Sequence, residues 1–225
     1  TLGNMYKKPA IKNIERSKYH YEKAIEIDPD YVQALNNLGT IYLDEENYAE
    51  AEKLAQRTIE IKRDYTLGYL KLARIYAATD RPGEAESILQ RIIEIKPTDY
   101  RGYNRLGDFY IQNNQFEKAE KIFLLGIEKA PSSAFYFNIA GVYLYMDEPD
   151  KAKSYFQQYI ELEKEDPDGY FMMACTLALE GKENNQIDTW LEKARQKNFK
   201  YWEGMLVEDV KKQIEIIPEF KSFIQ

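Results

Sequence analysis

Four basic residues, Lys71, Arg74, Arg101 and Arg105, stand in a chain whose charge balance is acidic. Ammonium and guanidinium groups grip carboxylates through charge-assisted hydrogen bonds, worth ~1.5–3 kcal/mol each. Asn37, Asn104 and Asn138 are read as one recurring slot of amides, which donate to and accept from a peptide backbone at once. Catalytic chemistry lacks its parts. Ser17, Ser132 and Ser133 have no histidine set to serve as base, and the lone His20 belongs to packing or solvent. Cys175 lies in the apolar stretch "MMACTLALEG", which reads as a buried structural thiol. One histidine and one cysteine give no dense metal set. "LEGKEN" is a turn with a single glycine, not a phosphate loop, and Glu45–Glu46 is a solvated acidic turn. The expectation is a protein that is not an enzyme and takes no cofactor or metal.

The elements that position these groups must fit 225 residues, with 44% apolar and 31% charged content. That composition buries a core and keeps the chain soluble. No apolar run approaches the ~20 residues of a membrane span, and no signal-peptide pattern opens the chain. The compartment stays open between cytoplasm and periplasm. Abundant Lys, Ile, Asn and Tyr is compatible with a low-GC bacterium. Thirty-one basic against 38 acidic residues give a net charge of −7, which disfavours a nucleic-acid partner.

The positions themselves repeat. "TLGNMY", "NLGTIY" and "RLGDFY" share Leu-Gly-x-x-Tyr. The small residue recurs as Gly39, Ala73, Gly107, Ala140 and Ala174, at spacings of 34, 34, 33 and 34. Tyr42, Tyr76, Tyr110 and Tyr143 keep the same register, as do Ala51, Ala85, Ala119 and Ala152. Ala55, Leu89, Phe123 and Phe156 follow them, and Pro29, Pro97 and Pro131 close units. Within a unit, Leu35, Leu38, Gly39 and Tyr42 are spaced as one helix, and Tyr48, Ala51, Ala55 and Ile59 as a second. Pro82 and Pro149 sit at first helical positions. Glycine inside a helix costs roughly 0.5–1 kcal/mol against alanine. Gly39 and Gly107 therefore predict close helix approach, with Ala51 and Ala119 facing them, Tyr42 and Tyr110 filling the adjoining gap, and Phe123 aiding in its unit. One such hairpin cannot cover its apolar face, so neighbours must stack.

Over about residues 1–197 these motifs resemble the tetratricopeptide repeat, a 34-residue helix–turn–helix unit. The resemblance implies an all-α fold, a right-handed superhelical solenoid of stacked antiparallel helix pairs. Its units fall at about 1–30, 31–65, 66–99, 100–132, 133–166 and 167–197, with capping helices over 198–225 in the same domain. The first unit carries two extra turn residues, the sixth about one near Gly181–Asn185, and Arg63 replaces a closing proline. Because Thr1 falls partway along a first helix, the chain is expected to be a piece of a longer protein.

In that family the first helices line a concave groove for extended peptides. Carried onto this sequence, the lining is Asn37, Lys71, Arg74, Arg101, Asn104, Arg105, Phe137, Asn138, Tyr145 and Phe171, with Met172 and Cys175 beside the last. The cations occupy its middle and the aromatics an apolar patch beyond. Arg101 and Arg105 match the final basic pair of the family's carboxylate clamp, but no single frame supplies the full set. A looser groove for an acidic peptide follows. In the alternative, the cations pair with Asp108, Asp44 or Glu45 as a solvated face. The function implied is a scaffold for a protein or peptide partner. Two alternatives are a regulatory or targeting module of a larger enzyme or assembly protein, and a homo-oligomer joined through the C-terminal stripe of Trp202, Leu206, Val210, Ile214, Ile217, Phe220 and Phe223. The favoured reading of that stripe is a cap on the last hairpin.

Overall fold

A computed structural model describes the backbone of residues 2–181, 184–200 and 220, with side chains from residue 13 onward except at 184. Among the described residues there is helix and turn, with no strand. The helices run α1 (Leu2–Ile27), α2 (Val32–Asp44), α3 (Tyr48–Ile61), α4 (Thr66–Ala78), α5 (Pro82–Ile95) and α6 (Tyr100–Gln112). They continue as α7 (Phe116–Lys129), α8 (Ala134–Tyr145), α9 (Pro149–Leu162), α10 (Pro167–Leu179) and α11 (Asn184–Gln196). The chain forms two compact units, residues 1–102 and 103–225, divided within α6.

The all-α helix-pair reading holds from α2 to α11. Each pair turns through one left-handed residue, at Glu46 (φ 58°), Asp80 (57°), Asn114 (55°), Asp147 (57°) and Gly181 (65°). The next N–H then reaches back to the carbonyl of the repeating tyrosine. Asn47 bonds Tyr42, Arg81 bonds Tyr76, Gln115 bonds Tyr110 and Glu148 bonds Tyr143, each at 2.8 Å. This closure satisfies a carbonyl that the helix end would leave unpaired. The tyrosine of the motif thus ends its helix as well as filling the interface. A cation caps its ring in each case: Lys18 at 4.3 Å from Tyr42, Arg81 at 4.2 Å from Tyr76, Lys118 at 5.1 Å from Tyr110 and Lys151 at 4.9 Å from Tyr143.

The start of the chain departs from the expected hairpin. α1 continues unbroken where a turn two residues longer was expected. The left-handed turn of the other pairs has no counterpart there. At Arg63, which stands in place of a closing proline, the Tyr69 hydroxyl donates to the main-chain carbonyl at 3.0 Å, and the Tyr170 hydroxyl makes the same bond to Lys164 at 2.9 Å.

In the first unit, Leu35, Ala51, Ala55, Leu72, Ile75 and Ala85 are buried between the pairs. In the second, Phe123, Phe135, Ile139, Phe156, Phe171 and Ala174 are fully enclosed. The small-residue series works in two ways. A Cβ on Gly107 would overlap the Phe123 ring, so this glycine makes room for Phe123. A Cβ on Gly39 would stand 3.3 Å from the Lys71 ammonium and 3.4 Å from Leu54, so that glycine leaves room for a lysine of the next repeat. Cys175 is buried, as its apolar setting predicts, and burial pushes its thiol well up. Phe220 is buried with its ring centroid 5.8 Å from that of Phe171, at an angle of 79°. The other members of the expected C-terminal stripe, Trp202, Leu206, Val210, Ile214, Ile217 and Phe223, lie outside the described residues.

Candidate functional site

In the first unit, α2 and α4 present the expected groove residues, but not all to solvent. Asn37 is exposed, and its amide donates to the Tyr21 hydroxyl at 3.3 Å. It lines an open cleft of about 410 Å³ with Ile14, Ser17, Tyr21, Thr40 and Ile41. Lys71 corrects the sequence reading. Only 6% of it is exposed, because the stem crosses Gly39 and the ammonium donates to the Asn36 carbonyl, and at 3.1 Å to the Asn36 amide oxygen. Burial is the main cause that lowers its amine to about 8; Arg74 acts the same way and Asp44 opposes. A lysine so placed is a structural donor, not a free groove cation. Arg74 is exposed on the same helix.

Arg101 opens α6 and turns back on its own helix start. Its guanidinium grips the Asp99 carboxylate at 2.8 and 2.6 Å, and Asp99 also accepts from the Arg101 N–H at 3.1 Å. That grip holds the Asp99 carboxyl below its usual range. Arg101 is thus paired, but with Asp99 and not with the Asp108, Asp44 or Glu45 of the solvated-face alternative.

In the second unit, α6 and α8 bring several expected residues together. The Asn138 amide donates to the Asn104 amide oxygen at 3.2 Å. Counted back from Gly39, Gly107 and Ala140, Asn37 and Asn138 stand two residues before the small residue and Asn104 stands three before. The asparagines are therefore not one slot, and the offset decides their bonding. Lys71 bonding Asn36 and Asn138 bonding Asn104 are the same relation, in which the nearer slot of one repeat donates to the farther slot of the repeat before it. The offset is visible in the spacing from the small residue alone.

Beside this rung lies an open cleft of about 370 Å³, lined by Asp108, Ile111, Gln112, Phe137, Asn138, Gly141 and Tyr145. Second helices brace its aromatic walls. Tyr145 stacks on Phe116, centroids 5.1 Å apart and planes 18° apart. Phe137 meets Phe156 at 5.5 Å and Tyr159 at 5.1 Å, both edge-on. Asp108 pairs with Arg105 at 3.8 Å. Burial raises its carboxyl, while Arg105 opposes. Arg105 itself is largely exposed, at 62%.

Phe171 is the second correction. It has no exposed surface and stacks on Phe199, centroids 4.3 Å apart and planes 15° apart. Met172 and Cys175 are buried with it. Its slot matches Phe137 one repeat earlier, but residues that follow the last helix pair cover it. The sequence reading missed this because the covering rings belong to no repeat.

Among the described residues no cluster of histidine, cysteine and acidic groups could hold a metal ion, and no helix is long and apolar enough to cross a membrane.

Comparison with known proteins agrees with the periodicity. Tetratricopeptide-repeat models match residues 20–53, 43–104, 76–141 and 133–166. Over 53 residues, 24% of this chain, it is 47% identical to uncharacterized protein ycf37 of Porphyra purpurea. Over 56 residues, 25% of this chain, it is 36% identical to stress-induced-phosphoprotein 1 of Caenorhabditis elegans. The matches span 30% and 17% of those two proteins, well under two thirds of either. Among solved structures, MamA is similar with a TM-score of 0.58 at 17% identity, over 74% of this chain and 91% of that one. YrrB, a repeat protein described as having an unusual peptide-binding site, gives 0.53 at 16% identity, over 79% and 91%. A thermophilic repeat protein of Thermus thermophilus, TTC0263, gives 0.54 at 19% identity, over 76% and 94%. At these identities the likeness is one of fold.

Proposed function

Because the chain belongs to the tetratricopeptide-repeat family, we propose that it is a non-catalytic scaffold that holds an extended segment of a protein partner against the first helices of its repeats. The family supports the broader role, a protein-interaction scaffold. The observation that carries the finer one is the cleft of Asp108, Phe137, Asn138, Gly141 and Tyr145. It is built from first-helix slots that the core does not use, and its walls are braced before any ligand arrives. Such preorganisation lowers the ordering cost of binding. The peptide-binding site described for YrrB, on the same fold, is consistent with this use.

Arg105 is exposed beside this cleft, so an acidic side chain in the segment would meet it. In the first unit Lys71 and Arg101 are held by Asn36 and Asp99, while Arg74 is exposed. Fluorescence anisotropy against extended peptides, acidic and basic, with free and amidated termini, tests the reading. Saturable binding by the wild-type protein that weakens in Arg105→Glu supports it. Failure of every peptide to bind would refute it.

A further inference from the structure

Gly141 lies inside α8, where glycine is a poor helix former. Apart from Gly83 in the first turn of α5, where a Cβ would also meet nothing, other helical glycines have a steric reason: a Cβ would meet Ile59 at Gly68, Phe123 at Gly107, Phe135 at Gly126 and Tyr159 at Gly169. At Gly141 a Cβ would meet nothing within 4 Å. The space it would enter is the cleft between α6 and α8. Equivalent slots in other repeats carry Thr40, Arg74 and Asp108, so the repeat itself does not require glycine there. The chain's own packing leaves this missing side chain unexplained.

The lining of the gap carries charge of one sign, with Arg105 outside it. Asp108 is the one charged side chain in the cleft lining, and Phe137 and Tyr145 wall it with rings. Ring faces carry negative potential and attract cations. We propose that the gap at Gly141 receives a lysine or arginine side chain of the partner segment, its aliphatic stem crossing Gly141 between Phe137 and Tyr145 and its charged head meeting Asp108. The inference rests on the first-helix reading above and deepens it. Arg105 now holds Asp108 at the long distance of 3.8 Å with most of its own side chain exposed. A segment carrying both signs exchanges that pair for two: its base takes Asp108 and its acid takes Arg105.

The test is a positional library of acetylated, amidated octapeptides that fixes lysine, arginine, norleucine, leucine or glutamate at one position. Binding is read by anisotropy on wild type, Gly141→Leu, Asp108→Asn and Gly141→Ala. Norleucine keeps the stem of lysine and removes its charge. Lysine and arginine should exceed norleucine by at least ~10-fold on the wild type, the size of one ~1.4 kcal/mol interaction. That preference should vanish in Asp108→Asn, and Gly141→Leu should lose both the preference and the affinity. Gly141→Ala, which adds one methyl group to open space, shows by its retained fold that the losses are local. Octapeptides that bind without a basic preference, or whose preference survives Gly141→Leu, overturn this inference and leave the first-helix reading standing. A wild-type protein that binds no octapeptide overturns both.

Discussion

The Lys71 ammonium reaches across Gly39 and donates to the main-chain carbonyl of Asn36, one repeat earlier. Two features that look separate in the sequence are one arrangement: a glycine inside α2 and a lysine on α4. The lysine is 6% exposed and has no carboxylate partner among the described residues, so its charge is held by neutral oxygens. Burial of that kind disfavours the protonated form.

A pH dependence follows. The Lys71 amine is lowered in the folded chain from 10.5 to about 8. Between those values the unfolded chain binds more protons, so stability rises with pH over that window. The strain is fully present below pH 8, and its upper bound is about 3 kcal/mol. Lys71→Met should therefore be more stable than wild type at pH 7 and should lose the rise between pH 8 and 10. The Asn36 carbonyl keeps a donor in Thr40 Oγ1 at 3.0 Å. Urea midpoints at pH 7 and 9.5 check this, and a less stable Lys71→Met at pH 7 would show that the hydrogen bonds outweigh the desolvation.

The Gly107–Phe123 contact predicts strong coupling. Phe123→Ala should cost roughly 3–5 kcal/mol, because the ring is fully enclosed. Gly107→Ala alone should also destabilise, since its Cβ would overlap that ring. In the Phe123→Ala background the same methyl enters vacated space and should be neutral or helpful. A double-mutant cycle measures the difference, and additive costs would contradict the contact.

Glu46 adopts φ 58° at a helix end where glycine fits without strain. Glu46→Gly should stabilise the first unit by about 1 kcal/mol. Gly181, at φ 65°, should show the reverse, with Gly181→Ala losing about the same. Thermal midpoints decide both.

Gly141→Ala should raise stability by ~0.5–1 kcal/mol, the helix preference of alanine over glycine, because nothing obstructs the methyl group. A loss of stability would mean that the cleft is narrower than its lining indicates. Arg105→Glu should leave the midpoint within ~0.5 kcal/mol of wild type, as expected of an exposed side chain, whatever it does to binding.

Repetition made the fold legible before any coordinates. Gly39, Ala73, Gly107, Ala140 and Ala174 share a register because each stacked hairpin meets the same steric demand. From it the sequence by itself determined the helix pairs, the buried series of Ala51, Ala85, Ala119 and Ala152, and the enclosure of Phe123 and Cys175. It did not determine α1, whose unbroken course depends on a turn that never forms, or which slots stay open. Lys71, Arg74, Phe137 and Phe171 all occupy first-helix positions away from the small-residue seam. Lys71 is buried because Gly39 in the preceding repeat leaves a path for its stem. Phe171 is buried because Phe199 and Phe220 arrive from beyond the last pair. Arg74 remains exposed, and Phe137 partly so, its ring braced at one edge of a cleft. Periodicity records what every repeat must satisfy. The exposure of a single slot depends on the one neighbour that lies against it, and only the tertiary structure supplies that neighbour.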